Sequence, residues 1–237
     1  MSKERQRDRR VKYRATPKAR RALATILSCL AIAMVVGAVG LLGYPTYTNI
    51  RASREQQALR TEFLTSSKLK QAYQAASSGV SGSKVTLAEG SAVTRIQIPK
   101  IGLDTVVVQG TSDQALAAGS GHYPQTPLPC SPQGNVGIAG HRTMNGHPFQ
   151  RLDQLAAGDK VILTTPFQTC TYEILASVDG HANPYVTDPN DWTVIAQTAK
   201  PMLTMSTCTP EGTARQRLVA RAQLVSTTST VPGASVK

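Results

Sequence analysis

Hydrophobic residues follow two different patterns along this chain, and the change comes at Tyr44. From Ala22 to Tyr44 the sequence ALATILSCLAIAMVVGAVGLLGY runs for 23 residues without a charge. At ~1.5 Å of rise per residue that is enough helix to cross a ~30 Å hydrocarbon layer. A secretory signal peptide is the rival reading, but its apolar region is normally only ~7–15 residues long. Residues 45–92 read as a juxtamembrane stalk and linker. Leu59, Phe63, Leu69 and Tyr73 recur at loosely helical spacing, and 79–92 are small, polar and rich in Gly and Ser. From 93 to 226 the pattern shortens to β-branched runs bounded by Gly, Pro, Asn or Asp: VTRIQIP, DTVVVQG, GNVGIAG, KVILTT, TYEILASV, WTVIAQT, PMLTMSTC and RLVARAQLV. These make eight strand candidates. Short helices are expected at 112–118 and 148–155, and residues 227–237 as a flexible tail. So many short strands with so little helix predict an all-β domain, either a closed barrel or a sandwich.

Charge changes the picture at one end only. The formal net charge is +12, and residues 1–21 supply +8 of it through ten Lys/Arg against Glu4 and Asp8. A basic tail can hold nucleic acid, but cations set directly before an apolar span orient it in a membrane. The tail is therefore expected in the cytoplasm, 22–44 as the anchor, and everything after Tyr44 outside, with no nucleic-acid partner. Outside the cell, disulfides persist. Cys29 lies in the span as a passive apolar residue, while Cys130, Cys170 and Cys208 lie beyond it. Three is odd, so at least one of them is unpaired or pairs between chains.

Several chemistries find no footing. The histidines are His122, His141, His147 and His181. His141 and His147 stand six apart in a loop with no cysteine pair or carboxylate at zinc spacing, so no metal site and no cofactor are expected. No G-x-S-x-G elbow and no phosphate-cradling G-x-x-x-x-G-K occurs. His147, His122 and His181 read as loop residues. His141 follows the apolar run NVGIAG, where a strand end opens on a cleft. Cys208 remains, and a thiol works as its thiolate, beside a base or a cation. If 203–208 and 217–225 form a hairpin, Arg217 lies nearest the turn and beside Cys208. Arg217 and Arg221 then share one face, with Leu218 on the other. Arg215 and Arg221 read as solvated charges on an edge strand.

The segments NVGIAGHRT, LTMSTCTP and RQRLV, in this order, are similar to the sortase family of Gram-positive bacteria. The family's usual Thr-Leu-x-Thr-Cys run stands here as Thr204-Met205-Ser206-Thr207-Cys208, with methionine in the leucine place. The resemblance covers roughly 93–226 and implies a closed eight-stranded sortase-like β-barrel and a cysteine transpeptidase. It assigns Cys208 as nucleophile, His141 as general acid and base, and Arg217 as stabiliser of substrate and oxyanion. The substrates implied are surface proteins bearing an LPxTG- or LAxTG-type sorting signal, cut between Thr and Gly and passed to an amine of a cell-wall precursor or a pilin lysine. GHYPQT, AGHRT and CTPEGTARQRL look most like class E, which makes Tyr123 and, in the motif, Thr207 expected substrate contacts. A pilin-polymerising, class C-like enzyme is the alternative, although residues 77–92 hold no Asp-Pro-aromatic lid motif. On the enzyme reading Cys208 is free and Cys130 and Cys170 are the candidate disulfide. A non-catalytic anchored barrel would instead pair Cys208 with one of them.

Overall fold

The computed structural model describes residues 17–77 and 86–230. The first sixteen residues of the expected basic tail, residues 78–85 of the expected linker and residues 231–237 lie outside the described residues. The chain divides into two units, Met1–Tyr44 and Pro45–Lys237. In the first, helix α1 (Pro17–Thr65) begins, and its side chains from 20 to 44 stay exposed. This helix is long and apolar enough to cross a membrane by length and composition.

The second unit is built on a closed ring of eight strands. These are β1 (Ala92–Ile98), β2 (Leu103–Gln109), β3 (Ser120–His122), β4 (Asn135–Ala139), β5 (Lys160–Thr164), β6 (Gln168–Ile174), β10 (Met202–Thr209) and β11 (Gln216–Ser229). The connection between β6 and β10 contains a small hairpin, β7 (Ser177–Val178) and β8 (His181–Ala182), and then β9 (Tyr185–Thr187). Around the ring the order is β10-β4-β3-β2-β1-β5-β6-β11, closed by β11 pairing with β10; β9 adds to the outside of β11. β2 with β3 and β4 with β10 are parallel, and the other pairs in the ring are antiparallel.

Alternation explains the filling. Ile96 and Ile98 of β1, Val136 and Ile138 of β4, Leu203 and Met205 of β10 and Leu218, Ala220 and Ala222 of β11 enter one core with Phe149, Leu152 and Tyr172. Their odd or even neighbours face outward. β2 departs from alternation because both of its faces are covered. Val107 belongs to the barrel core, while Val106 and Val108 pack with Leu59, Phe63, Leu69, Ala72 and Tyr73. Those five residues belong to the later part of α1 and to α2 (Ser67–Ser77). The segment expected as a stalk is therefore docked on the barrel. Its ties are polar as well: the Tyr73 hydroxyl donates to the Val93 carbonyl (3.1 Å), and Gln56 bonds both backbone groups of Val106. The last part of the linker is also held, since Gly90 N donates to Gln109 O and Gln109 N to Ser91 O, each at 2.8 Å.

Four local expectations change. WTVIAQT is not a strand: Trp192–Ile195 form a 3-10 turn, opened by the Asp191 carboxylate accepting Thr193 N. The helix expected at 148–155 is reduced to a 3-10 turn at Leu152–Gln154. β3 and β9 are strands of three residues that the short, polar sequence does not advertise. β11 continues through Ser229, pairing Thr227 with Cys170, so the first residues of the expected tail belong to the sheet.

Candidate active site

Three strands carry the candidate residues to one place. Antiparallel pairing of β10 and β11 sets Cys208 directly opposite Arg217. Parallel pairing of β4 and β10 runs in register from Asn135↔Met202 to Ala139↔Ser206, and Gly140 N extends it by donating to Ser206 O at 3.0 Å. Continued one residue further, the register brings His141 level with Cys208. Because Val136, Ile138, Leu203, Met205 and Leu218 point into the barrel, alternation directs His141, Cys208 and Arg217 to its outer face. Gly140 makes the exit of β4 tight: a Cβ there would stand 2.7 Å from the Phe149 ring.

The outer face at this point is a cleft of about 630 Å³, lined by His141, Cys208 and Arg217 together with Asp113, Tyr123 and Trp192. Part of its wall comes from the β6–β10 connection, where Val194 and Ile195 pack on Val219. Cys208 is a free thiol, half-buried. Arg217 is half-buried too. Its Nη1 donates to the carbonyls of Ala214 and Gln216 at 3.2 Å, and among the described residues it faces no carboxylate within ion-pair distance. Burial lowers the His141 pKa from its usual value, with the Asp113 charge opposing that shift. The imidazole is thus neutral at neutral pH and able to take up a proton. A thiol, a neutral imidazole and an uncommitted guanidinium line one cleft.

Tyr123 and Thr207 also line this cleft. The Tyr123 hydroxyl lies 3.2 Å from Ser206 Oγ, and its ring meets Trp192 edge-on, with centroids 6.4 Å apart. The Thr207 hydroxyl is buried and has no hydrogen-bond partner among the described residues. Arg142 is a residue that the sequence did not single out. It is 8% exposed, donates to Thr209 Oγ1 (2.8 Å) and Asp153 Oδ2 (2.9 Å), and so ties the turn after His141 to the end of β10. Its adjacency to His141 was the available signal.

The other candidates separate from the cleft. His122 is not a loop residue. It ends β3, is 1% exposed, and contacts Gln109 Oε1, Pro127 O and Thr126 Oγ1 at 2.9–3.1 Å. Burial holds its pKa down at about 4. His181 stacks on Tyr185, with centroids 6.0 Å apart, and His147 sits exposed in a turn. Arg215 is exposed. Arg221, read above as solvated, is instead 8% exposed and 3.6 Å from Asp179, because β11 lies inside the sheet rather than at an edge. Cys130 and Cys170 are joined in a disulfide, with Cα atoms 5.7 Å apart. Among the described residues no group of three or more His, Cys, Asp or Glu gathers to hold a metal ion.

Comparison with known proteins agrees with this architecture. The sortase domain family model matches residues 96–225. Sortase SrtE1 of Streptomyces coelicolor is 28% identical over 150 residues, which are 57% of this chain and 41% of that protein's length. The structure of sortase E from Streptomyces avermitilis superposes with a TM-score of 0.53 at 32% identity, covering 62% of this chain and 97% of the other. A Clostridium perfringens sortase D5 gives 0.58 at 28% identity, over 73% and 98% of the two chains. With the eight-stranded ring and a model match over more than half its length, the chain belongs to the sortase family.

Proposed function

We propose that this protein is a membrane-anchored cysteine transpeptidase of the class E type that acts on LPxTG- or LAxTG-type sorting signals. The observation that carries the reading is the row formed by Cys208 and Arg217, opposed across two strands, with His141 level with them in an open cleft. Cys208 passes its thiol proton to the neutral His141 and adds, as the thiolate, to the carbonyl carbon of the signal threonine. Negative charge then gathers on the carbonyl oxygen, where the Arg217 guanidinium has donors to spare. His141, holding a proton, gives it to the glycine nitrogen as the C–N bond breaks, leaving a thioester on Cys208. A primary amine from a cell-wall precursor enters, loses a proton to His141 and attacks the thioester. The C–S bond breaks, the new amide leaves, and the thiolate returns. Tyr123 and Thr207 border the bound signal. The span 22–44 anchors the enzyme, and the ten cations before it set the N-terminus in the cytoplasm and the barrel outside.

The test is a panel of LPxTG and LAxTG peptides, offered with and without an amine acceptor and followed by mass spectrometry. The expected outcome is cleavage between Thr and Gly, a thioester adduct on Cys208, and amide product only with acceptor. Cys208→Ala should lose at least about 10³-fold in turnover while unfolding at the same temperature. Turnover that survives Cys208→Ala would refute the proposal.

A further inference from the structure

We propose that Asn49, on the docked part of α1, is a positioning residue for His141; the proposal rests on the transpeptidase reading above. His141 opens a loop that closes on itself when Phe149 N donates to His141 O at 3.2 Å. Inside the loop His147 N donates to Met144 O at 2.8 Å, so residues 144–147 form a tight turn at its tip. Gly146, in that turn, has a φ of +77°, a backbone conformation that suits glycine. Its N–H donates to Asn49 Oδ1 at 2.9 Å, and a Cβ on it would stand 3.6 Å from the Ala52 methyl. The helix therefore grips the tip of the loop whose base is His141.

The grip can transmit position only if the helix itself is fixed, and it is. Asn49, Ala52, Gln56, Leu59 and Phe63 recur at spacings of three and four, so they lie along one face of α1. Leu59 and Phe63 enter the apolar cluster with Val93, Val106 and Val108. Gln56 accepts Val106 N at 2.8 Å and donates to Val106 O and Ala118 O at 3.0 and 2.8 Å. Ala118 lies two residues before β3, so the same glutamine also ties the helix to the chain entering that strand. A cavity of about 460 Å³ lies between helix and loop, lined by Ser53, Gln56, Asn145, Gly146 and Pro148. Beside this cavity the loop tip is held to the helix by the Asn49 hydrogen bond rather than by a packed wall. Arg142 secures the near end of the loop; Asn49 secures the far end from outside the barrel.

His141 must protonate the leaving amine and then deprotonate the incoming one, and misplacement of a catalytic group lowers the rate without changing substrate binding. The experiment uses the full-length protein in detergent micelles. Steady-state kinetics on the best signal peptide are combined with amide hydrogen exchange across residues 141–149. Asn49→Ala should lower kcat about fivefold to tenfold, the worth of one hydrogen bond, with KM within about twofold. It should speed exchange at Gly146 and leave the unfolding temperature in place. Asn49→Asp keeps an oxygen acceptor for Gly146 N and should restore both readouts. Unchanged kcat in Asn49→Ala, or a loss that Asn49→Asp does not recover, overturns the proposal. If the parent protein turns over no signal peptide, the transpeptidase reading fails separately. Exchange at Gly146 and the titration midpoint of His141 then decide the positioning role: both shifted in Asn49→Ala supports it, and either unshifted overturns it.

Discussion

Arg217 and Arg221 stand four residues apart on the same face of β11, yet they have opposite surroundings. Arg221 lies across from Thr204, where the structure is filled in. Thr204 Oγ1 donates to Asn135 Oδ1 at 2.9 Å, Asn183 bonds both backbone groups of Arg221, and Asp179 supplies a carboxylate. Arg217 lies across from Cys208, where the structure is left open. Among the described residues its guanidinium reaches only backbone carbonyls, the neighbouring Thr207 hydroxyl has no partner, and Cys208 is free. The histidines repeat the contrast. His122 has both ring nitrogens satisfied in the interior, while His141 stands half-buried at the cleft. A residue type becomes scaffold or site according to what faces it. Arg221 keeps a buried Nε without a partner among the described residues, yet its backbone is bonded by Asn183 and its guanidinium meets Asp179, whereas Arg217 turns its guanidinium to a cleft beside a free thiol.

The contrast can be broken experimentally. Arg217→Lys keeps a charge but loses the planar fork, and should lower kcat/KM for the signal peptide by on the order of 10²- to 10³-fold with an unchanged unfolding temperature. Near-parent activity there would move the role to another cation. The next largest effect belongs to His122. Its folded pKa of about 4 lies below the unfolded value near 6.5, so the unfolded chain binds more protons between those values. Stability is full above the unfolded pKa and is lost as pH falls toward the folded one, by about 3 kcal/mol. Denaturant midpoints measured from pH 7 to pH 4 should show this loss, and His122→Gln, less stable at pH 7, should show a shallower slope. The smallest effect is expected for Arg221→Met. Asp179 is 85% exposed and loses little when left unpaired, so the variant should keep activity within about twofold and shift the unfolding temperature by only a few degrees. A collapse of activity in Arg221→Met with little change in Arg217→Lys would reverse the comparison.

Much of the site was legible before the fold was known. Cys208 and Arg217 belong to a hairpin whose two strands show period-two alternation with only a short turn between, so their meeting is a local matter. His141 was marked by a glycine-terminated apolar run. The misreadings share one cause, a second layer invisible from any single segment. The β-branched run WTVIAQT at 192–198 suggested a strand, but an Asp191 cap and the packing of Val194 and Ile195 on Val219 make it a turn over the outer face. His122 read as a loop residue because its neighbours are Gly, Ser, Tyr and Pro, while the bond from its Nδ1 to Gln109 comes from a separate strand. The helical stripe on α1 showed only its large apolar members, since Asn49, Ala52 and Gln56 gain meaning from the loop and strand they touch.

What the sequence determined by itself is what nearest neighbours decide: the uncharged 23-residue span, the alternation that sorts each strand into inward and outward faces, and the β10–β11 hairpin. Tertiary structure alone decided the parallel register of β4 against β10, the cover over the outer face and the docking of α1 and α2. Parallel pairing and helix docking join segments far apart in the chain, so they depend on burying surfaces that no local window contains. That is why a cysteine and an arginine could be paired from the sequence, while the level of His141 beside them, and the helix that holds its loop, had to come from the fold.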